Sequence, residues 1–226
     1  MAAPSFIDWS APGSYDTSTP ITIPDISGLV QADDILVIMM RGELGSYTST
    51  GFTNKLTMPT GGAQTGNVLW KRATGSETTI DVSFSGAWAN GGLIIVRGCV
   101  TTGDPFDVIG SGDTANTSSV VSLTGITTVA PECLVVGFSH GSEGYTTSSG
   151  YPPSGYTGGI DSASAAFTVA HKQVTSAGSQ AGIGWSLSGT EPKWFGVMFA
   201  LKAPAGTGSS PPLYVPSRSN RALLRR

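Results

Sequence analysis

The chain has 226 residues, of which 12% are charged and 39% are hydrophobic, and its net charge at pH 7 is −3. The low charge argues against a chain kept disordered by self-repulsion, and the 31 glycines and 14 prolines favour turns over long helices. An acidic chain of this kind is not a general nucleic-acid binder. We also expect no membrane span and no signal peptide, because no long apolar run and no basic n-region are visible.

In chain order, the first signals are short apolar runs bounded by turn residues, which predict strands buried on both faces. These runs are ILVIMM (35–40), GLIIVRG (92–98), CLVVGF (133–138) and WFGVMFALK (194–202). Two other segments alternate apolar and polar residues and predict half-exposed strands, TTIDVSFSG (78–86) and AGIGWSLSG (181–189). The helix candidates are short and weak, and one is SNRALLRR at the C-terminal end. The sequence therefore predicts an all-β fold.

Many of these signals occur twice in the same order, 98 to 104 residues apart. The matching pairs are ITIPDI (21–26) with VVSLTGI (120–126), DILV (34–37) with ECLV (132–135), GFT (51–53) with GYT (155–157), WKRAT (70–74) with HKQVT (171–175), DVSFSG (81–86) with GIGWSLSG (182–189), and GLIIV (92–96) with GVMFA (196–200). A fixed order with nearly constant offsets indicates an internal repeat. The drift in offset is absorbed by surface loops.

The repeat predicts two divergent copies of a β unit, at about 20–99 and 119–202. The linker between them (100–119) carries Phe106, Val108 and Ile109, so we expect it to pack against the fold. We favour one antiparallel, jelly-roll-like β-sandwich with pseudo-twofold symmetry over residues 1–205. Two tandem domains remain the alternative. Residues 206–226 form an extended appendage outside the core.

The motif order D-[IL]-L-V, G-[WFY]-T, K-x-x-T, an alternating strand and a hydrophobic strand ending near R-G resembles a β-sandwich protein of tailed bacteriophages and prophages. The resemblance covers about residues 20–202 and is better in the first copy. The second copy departs from it, with His171 in place of the aromatic residue and FALK in place of VRG. The motifs are structural rather than catalytic. The resemblance thus implies a sandwich fold and a virion setting more firmly than a role.

Residues that could perform catalysis are sparse. His171 occupies the repeat position of Trp70, which favours a packing role, and His140 follows a buried strand. No G-x-S-x-G motif presents a nucleophilic serine. The adjacent carboxylates Asp33 and Asp34 fit a turn and the start of a strand. We therefore predict no enzymatic activity.

The other polar motifs also favour structural roles. Asp104 and Asp107 fit a turn around Pro105. GSGDT (110–114) lacks the alternating oxygen ligands of a calcium loop. Cys99 and Cys133 are expected to be buried thiols, and a disulfide between them would require neighbouring strand ends. We predict no metal site and no cofactor.

A glycine-, serine- and proline-rich segment, EGYTTSSGYPPSGYTGG (143–159), carries three tyrosines. Tyr156 matches Phe52 of the first copy, so shared packing explains it. Tyr145 and Tyr151 have no counterpart there and are candidate outer-surface contacts, because exposed tyrosines can stack on sugars or anchor a protein interface.

The C-terminal tail has the opposite charge to the rest of the chain. Residues 1–205 carry 8 basic and 15 acidic side chains, a net of −7, whereas residues 206–226 carry 4 basic and none acidic, a net of +4. GTGSSPP (206–212) combines flexible and stiff residues, and apolar and arginine side chains follow. The predicted partner-binding residues are Leu213, Tyr214, Val215, Arg218, Arg221, Leu223, Leu224, Arg225 and Arg226. Arginines of this kind can pair with carboxylates bidentately.

From these features we expect a non-enzymatic bacteriophage structural component, associated with the head, collar or tail and assembled in the host cytoplasm. Its expected partners are other virion proteins and copies of itself, reached through the C-terminal tail. The alternative is a glycan- or receptor-binding module on the virion surface. Nucleic acid is the less favoured tail partner, since no aromatic residue after Tyr214 could stack on bases.

Overall fold

The computed structural model describes residues 3–11, 16–24, 26, 28–43, 45–58, 64–141, 147–162 and 167–205. The described residues form strands and turns, and none of them is in an α-helix. Among these residues there is accordingly no helix long and apolar enough to cross a membrane. The prediction of an all-β, antiparallel, sandwich-like fold is confirmed.

The strands fall into two series that follow one another along the chain. The first series is β1 (Ser5–Ser10), β2 (Ile21–Ile23), β3 (Ile35–Glu43), β4 (Tyr47–Thr48), β5 (Thr53–Thr57), β6 (Gln64–Arg72), β7 (Ile80–Phe84) and β8 (Ala89–Arg97). The second series is β9 (Phe106–Ile109), β10 (Asp113–Leu123), β11 (Ile126–Thr128), β12 (Cys133–His140), β13 (Thr147–Ser149), β14 (Thr157–Ser162), β15 (Phe167–Val174), β16 (Gly178–Gln180) and β17 (Ile183–Lys202).

Each series builds an inner sheet with the same strand order. In the first, the order is β1-β8-β3-β6-β5. In the second, β17 pairs with β12 and, on its other edge, with β9 and β10, and β12 continues through β15 to β14. The strand β17 takes the place of two predicted strands, because it runs without a break through the residues that correspond to β7 and β8.

Each series also builds a smaller outer layer. In the first, β7 lies between β2 and β4. In the second, the first half of β17 lies between the end of β10 and β13, so Val121 pairs with Trp185 as Ile21 pairs with Val82. A two-stranded sheet of β11 and β16 adds to the second series. The two halves of the chain therefore repeat the same two-layer unit.

The inner sheets are buried on both faces, as their continuous apolar sequences predict. On β3, Ile35, Val37 and Met39 contribute to one core and Leu36, Ile38 and Met40 to another. Alternate strand residues point to opposite faces, so one strand serves two cores.

Three cores separate four layers. The inner core lies between the two inner sheets and draws on both series. The first outer core joins the first inner sheet to β2, β4 and β7, and the second outer core joins the second inner sheet to β10, β11 and the start of β17. The sequence predicts one antiparallel sandwich without fixing its number of layers, and the structure has four. The reason is that each repeat supplies enough strands to cover the far face of its own inner sheet.

The linker between the repeats packs into the fold. Its residues 106–109 form β9, which pairs with β17 at Phe199 and Ala200. Phe106 is buried in the inner core, as its apolar character predicts. The second repeat therefore begins before residue 119, with an edge strand equivalent to β1.

Aromatic contacts between the repeats are reciprocal. The Trp70 ring of the first repeat meets Phe106 of the second, with ring centroids 6.2 Å apart and nearly perpendicular. His171 of the second repeat stacks on Phe6 of the first at 4.8 Å. Trp70 and His171 also occupy matching places in their sheets, because Trp70 pairs with Thr53 and His171 pairs with Thr157. Each repeat thus covers the edge strand of the other in the same way.

A second pair of equivalent contacts lies on the turns that precede β5 and β14. The Lys71 ammonium lies 5.7 Å from the centre of the Phe52 ring, and the Lys172 ammonium lies 4.6 Å from the centre of the Tyr156 ring. Cations favour the faces of aromatic rings. The shared contact explains why the sequence keeps an aromatic residue at both G-[FY]-T positions.

The close approach of the inner sheets yields a first prediction. A Cβ atom added at Gly92 would lie 2.3 Å from the Phe167 ring of the other repeat, and that ring is fully buried. We expect Gly92→Ala to lower the free energy of unfolding by about 1–3 kcal/mol through overpacking. The measurement is urea denaturation of both proteins.

A double-mutant cycle gives the control. Phe167→Leu replaces the ring with a smaller side chain. Gly92→Ala should therefore lower the free energy of unfolding by clearly less in that background. Equal costs in the two backgrounds would contradict close packing between the two inner sheets at this point.

Candidate docking site at the chain exit

The chain leaves the fold at one end of the four layers. The last strand ends at Lys202, whose amide donates to the Pro105 carbonyl (3.0 Å) and whose carbonyl accepts from the Val100 amide (3.1 Å). Residues 203–205 continue along the surface, and residue 205 is the last that the structure describes. The basic tail therefore starts from a point that is fixed by main-chain hydrogen bonds.

A groove of about 360 Å³ lies at this point, and we call it the exit groove. Its lining is mostly apolar and consists of Ala3, Val100, Ala130, Pro131, Glu132, Lys202, Ala203, Pro204 and Ala205. A second groove of about 250 Å³ shares Pro204 with it and is lined further by Ala32, Asp33, Asp34, Arg97, Gly98, Cys99 and Thr101.

The two grooves are equivalent in the repeat. Each is formed by the turn before the central inner strand, β3 or β12, and by the chain that follows β8 or β17. Each turn also carries an exposed carboxylate with positive φ, Asp33 (φ 69°) and Glu132 (φ 55°). The repeat therefore places one exposed carboxylate beside each groove.

An exposed apolar residue adjoins the lining of the exit groove in sequence. Val129 is 76% exposed and directly precedes Ala130 of the groove lining. The Asp107 carboxylate accepts hydrogen bonds from the amides of Val129 (2.7 Å) and Ala130 (3.0 Å). Asp107 thus fixes the turn that presents Val129 and Glu132.

An ion pair stabilises the second groove. The Arg97 guanidinium donates to both oxygens of Asp34, at 2.9 and 2.8 Å, and to the Leu29 carbonyl at 2.8 Å. Asp34 is 1% exposed and also accepts from the Gln31 amide at 2.8 Å. The hydrogen bond to Asp34 raises the pKa of Arg97. In this turn, Asp34 has a structural role, and Asp33 remains exposed.

The predicted docking residues of the tail, from Leu213 to Arg226, lie outside the described residues, and so does Tyr145. Tyr151 is described and half-buried. Its hydroxyl lies 2.6 Å from the Val169 carbonyl and accepts from the Ile160 amide at 3.1 Å, and its ring meets Trp185 edge to face. Tyr151 is therefore not the free aromatic side chain that the sequence suggests, because its ring and its hydroxyl are engaged within the chain.

The opposite end of the inner core holds a buried polar group. Arg41 and Asn90 of the first repeat and His140 and Lys193 of the second are all at most 5% exposed. The Arg41 guanidinium lies 5.5 Å from the Trp88 ring centre and donates to Gln64, and His140 bonds the Gly141 carbonyl through Nδ1. Burial, and then the Arg41 charge, lower the pKa of His140 to about 3. A neutral, enclosed imidazole of this kind lacks the access to substrate and solvent that a catalytic base needs.

The remaining polar candidates also have structural partners. Asp104 accepts from the Phe106 amide (3.0 Å) and pairs with Lys55, while Asp113 of GSGDT accepts from the amide and hydroxyl of Thr124. Within the described ranges, no three histidine, cysteine or acidic side chains cluster as a metal site. Cys99 and Cys133 are free and buried, and burial raises the pKa of the Cys133 thiol to about 11.

Comparison with known proteins gives no further indication. A scan against protein-family models, a search of curated proteins and a search of solved structures each returned no match.

The turn at the second groove yields a prediction on stability. Asp34→Asn removes the charge that holds Arg97 while it keeps the size of the side chain. We expect the free energy of unfolding to fall by about 2 kcal/mol, because two charge-assisted hydrogen bonds are weakened and water solvates the partly exposed Arg97. Thermal unfolding at pH 7 measures the change.

The matched control is Asp33→Asn at the neighbouring exposed position, for which we expect a change within about 0.5 kcal/mol. Equal effects of the two substitutions would contradict the assigned role of Asp34.

Burial of His140 yields a prediction on pH dependence. Its pKa is lower in the folded than in the unfolded chain, so its contribution to stability is complete above about pH 6.5 and is lost as the pH falls towards 3. Between pH 7 and pH 5, the His140 contribution should fall by about 2 kcal/mol.

The test is the pH dependence of urea unfolding in the wild-type chain and in His140→Phe, which keeps a planar ring. The free energy of unfolding of the wild type, relative to that of His140→Phe, should fall by this amount from pH 7 to pH 5. The control His171→Phe, at the half-buried stacking position, should show a smaller change. Parallel curves for wild type and His140→Phe would refute the account of His140.

Proposed function

We propose that this chain is a non-enzymatic structural component of a bacteriophage particle, which docks onto other particle subunits through its C-terminal tail. The observation that carries the proposal is the exit of a tail of charge +4 from a body of charge −7, beside an apolar groove with an exposed carboxylate. Opposite charges steer association, and apolar side chains supply affinity. The resemblance of the repeat motifs to a phage sandwich protein supports the same setting.

The environment of the described polar side chains agrees with a structural role. His140 is enclosed between the inner sheets, and His171 stacks on Phe6. Asp34 and Asp107 stabilise turns at the exit end through Arg97 and through main-chain amides. Each of these groups contributes to packing or turn geometry, as scaffold residues do. The body thus provides a packed support for the tail and for the turn that carries Glu132.

Particle location follows from the same proposal. The chain is assembled in the host cytoplasm and is incorporated at a head, collar or tail position, with further copies of itself and with other particle proteins as neighbours. Such positions are built from repeated subunit contacts, for which one tail and one groove with an exposed carboxylate per chain are suitable.

A truncation tests the proposal. A chain that ends at Ala205 retains the seventeen strands found in the described residues, so we expect it to fold with an unchanged thermal midpoint. Its incorporation into particles should fall at least tenfold, because the arginines and the apolar residues of the tail are absent. Quantitative mass spectrometry of purified particles, relative to the major structural protein, measures incorporation.

Two full-length controls accompany the truncation. Tyr145→Ala should be incorporated normally, since docking is assigned to the tail. A variant with lysine at the four tail arginine positions keeps the charge but loses bidentate pairing, and should be incorporated at an intermediate level. Normal incorporation of the truncated chain would refute the docking function.

A further inference from the structure

We infer that the exit groove of each copy binds residues 211–226 of a second copy of this chain. The inference rests on the proposed function and deepens it, since it identifies the partner and its binding surface. The groove lining is mostly apolar and includes the exposed Glu132 together with Lys202, and the exposed Val129 directly precedes the lining residue Ala130. The tail has the complementary chemistry, apolar residues followed by arginines.

The size of the groove suits an apolar anchor. Its volume of about 360 Å³ is within the range of pockets that bury small organic ligands, which begins at roughly 300 Å³. Leu213 and Val215 flank Tyr214 in an X-Pro segment that favours an extended chain. Alternate side chains of an extended chain point the same way, so Leu213 and Val215 can enter the groove together. Val129 at the rim would lose its exposed apolar surface in the complex.

Charge complementarity orients the tail. Glu132 lies on the lining of the groove and is exposed, so its carboxylate is accessible to an incoming guanidinium. Arg218 follows three residues after Val215, within reach of the rim if Val215 occupies the floor. The turn that presents Glu132 is already held by Asp107, so binding does not have to order it.

The geometry of the exit favours the tail of another copy over the tail of the same chain. Pro204 and Ala205 form part of the groove wall, so a chain's own tail starts at the wall. To bind in its own groove, the tail would have to reverse its direction within residues 206–210, because Pro211 and Pro212 stiffen the chain after that point. A second copy's tail needs no reversal. At about 3.3–3.6 Å per residue, 21 residues extend to roughly 70 Å, enough to reach a neighbour.

The contact is heterologous, because the tail of one copy meets the groove of the next. Repetition of such a contact closes a ring if the rotation between copies allows, and otherwise extends a filament. Rings of identical subunits are the form expected if the chain encircles a particle axis.

The apolar half of the inference is tested by self-association of the full chain. Sedimentation velocity over a concentration series should show oligomers for the wild type. Val129→Asp places a carboxylate in the apolar contact and should weaken association about tenfold or more. The matched control is Val120→Asp, because Val120 is also exposed (47%) but lies on β10 and is not adjacent in sequence to the groove lining. This control should associate like the wild type.

The charged half is tested by the two equivalent carboxylates. Glu132→Gln should weaken association about two- to fivefold and reduce its sensitivity to salt, as expected for one exposed ion pair. Asp33→Asn removes the equivalent charge at the second groove and should leave association unchanged.

Three results would overturn the inference. They are a wild-type chain that is monomeric at all concentrations, equal association of Val129→Asp and wild type, and a loss of association in Asp33→Asn alone. Failure of this inference is distinguishable from failure of the proposed function. If truncation at Ala205 abolishes incorporation while both exit-groove variants incorporate normally, the tail docks on a different particle protein and only the present inference fails.

Discussion

The inner core between the two inner sheets is the constraint on which the rest of the structure depends. It takes side chains from both repeats, among them Val37 and Ile94 from one and Val136 and Phe199 from the other. Full burial of such a side chain contributes about 1.5–3 kcal/mol, so their combined contribution is large compared with the marginal stability of a domain. Since each inner sheet also supports an outer layer, its strands offer few positions where a charged side chain can reach water. The low charge of the chain follows from this four-layer arrangement.

The strands that are buried on both faces could be read from the sequence because their apolar runs are continuous and end at turn residues, as 35–40 and 133–138 show. The number of layers could not be predicted from the sequence, because it depends on which face of each strand meets the other repeat. The alignment of DILV with ECLV places Ile35 over Cys133, yet Ile35 lies in the inner core and Cys133 in an outer one. A shift of one residue reverses every side chain on a strand, and motif matching does not detect it.

The edge strands and the turns could not be predicted from the pattern of apolar residues either. SFIDWS (5–10) has no clear alternation, and it becomes a strand because β8 offers a free edge and His171 stacks on Phe6. The exit groove depends on turn geometry at Glu132 and on the exposure of Val129, and a single sequence reports neither. The charge contrast between body and tail was visible from composition alone. The charge contrast predicts a partner for the tail, and the structure adds an accessible, mostly apolar groove at the chain exit.

The two ends of the inner core suggest a division of roles. Arg41, His140 and Lys193 are enclosed at one end, whereas the exit groove at the other is accessible.

The central claim is that the tail docks on a neighbouring subunit, and its most direct test is cryo-electron microscopy of particles that contain the chain. The account predicts density for residues 211–226 along an adjacent subunit, with apolar side chains in its exit groove and an arginine at Glu132. Well-resolved subunits with no tail density on any neighbour would contradict it.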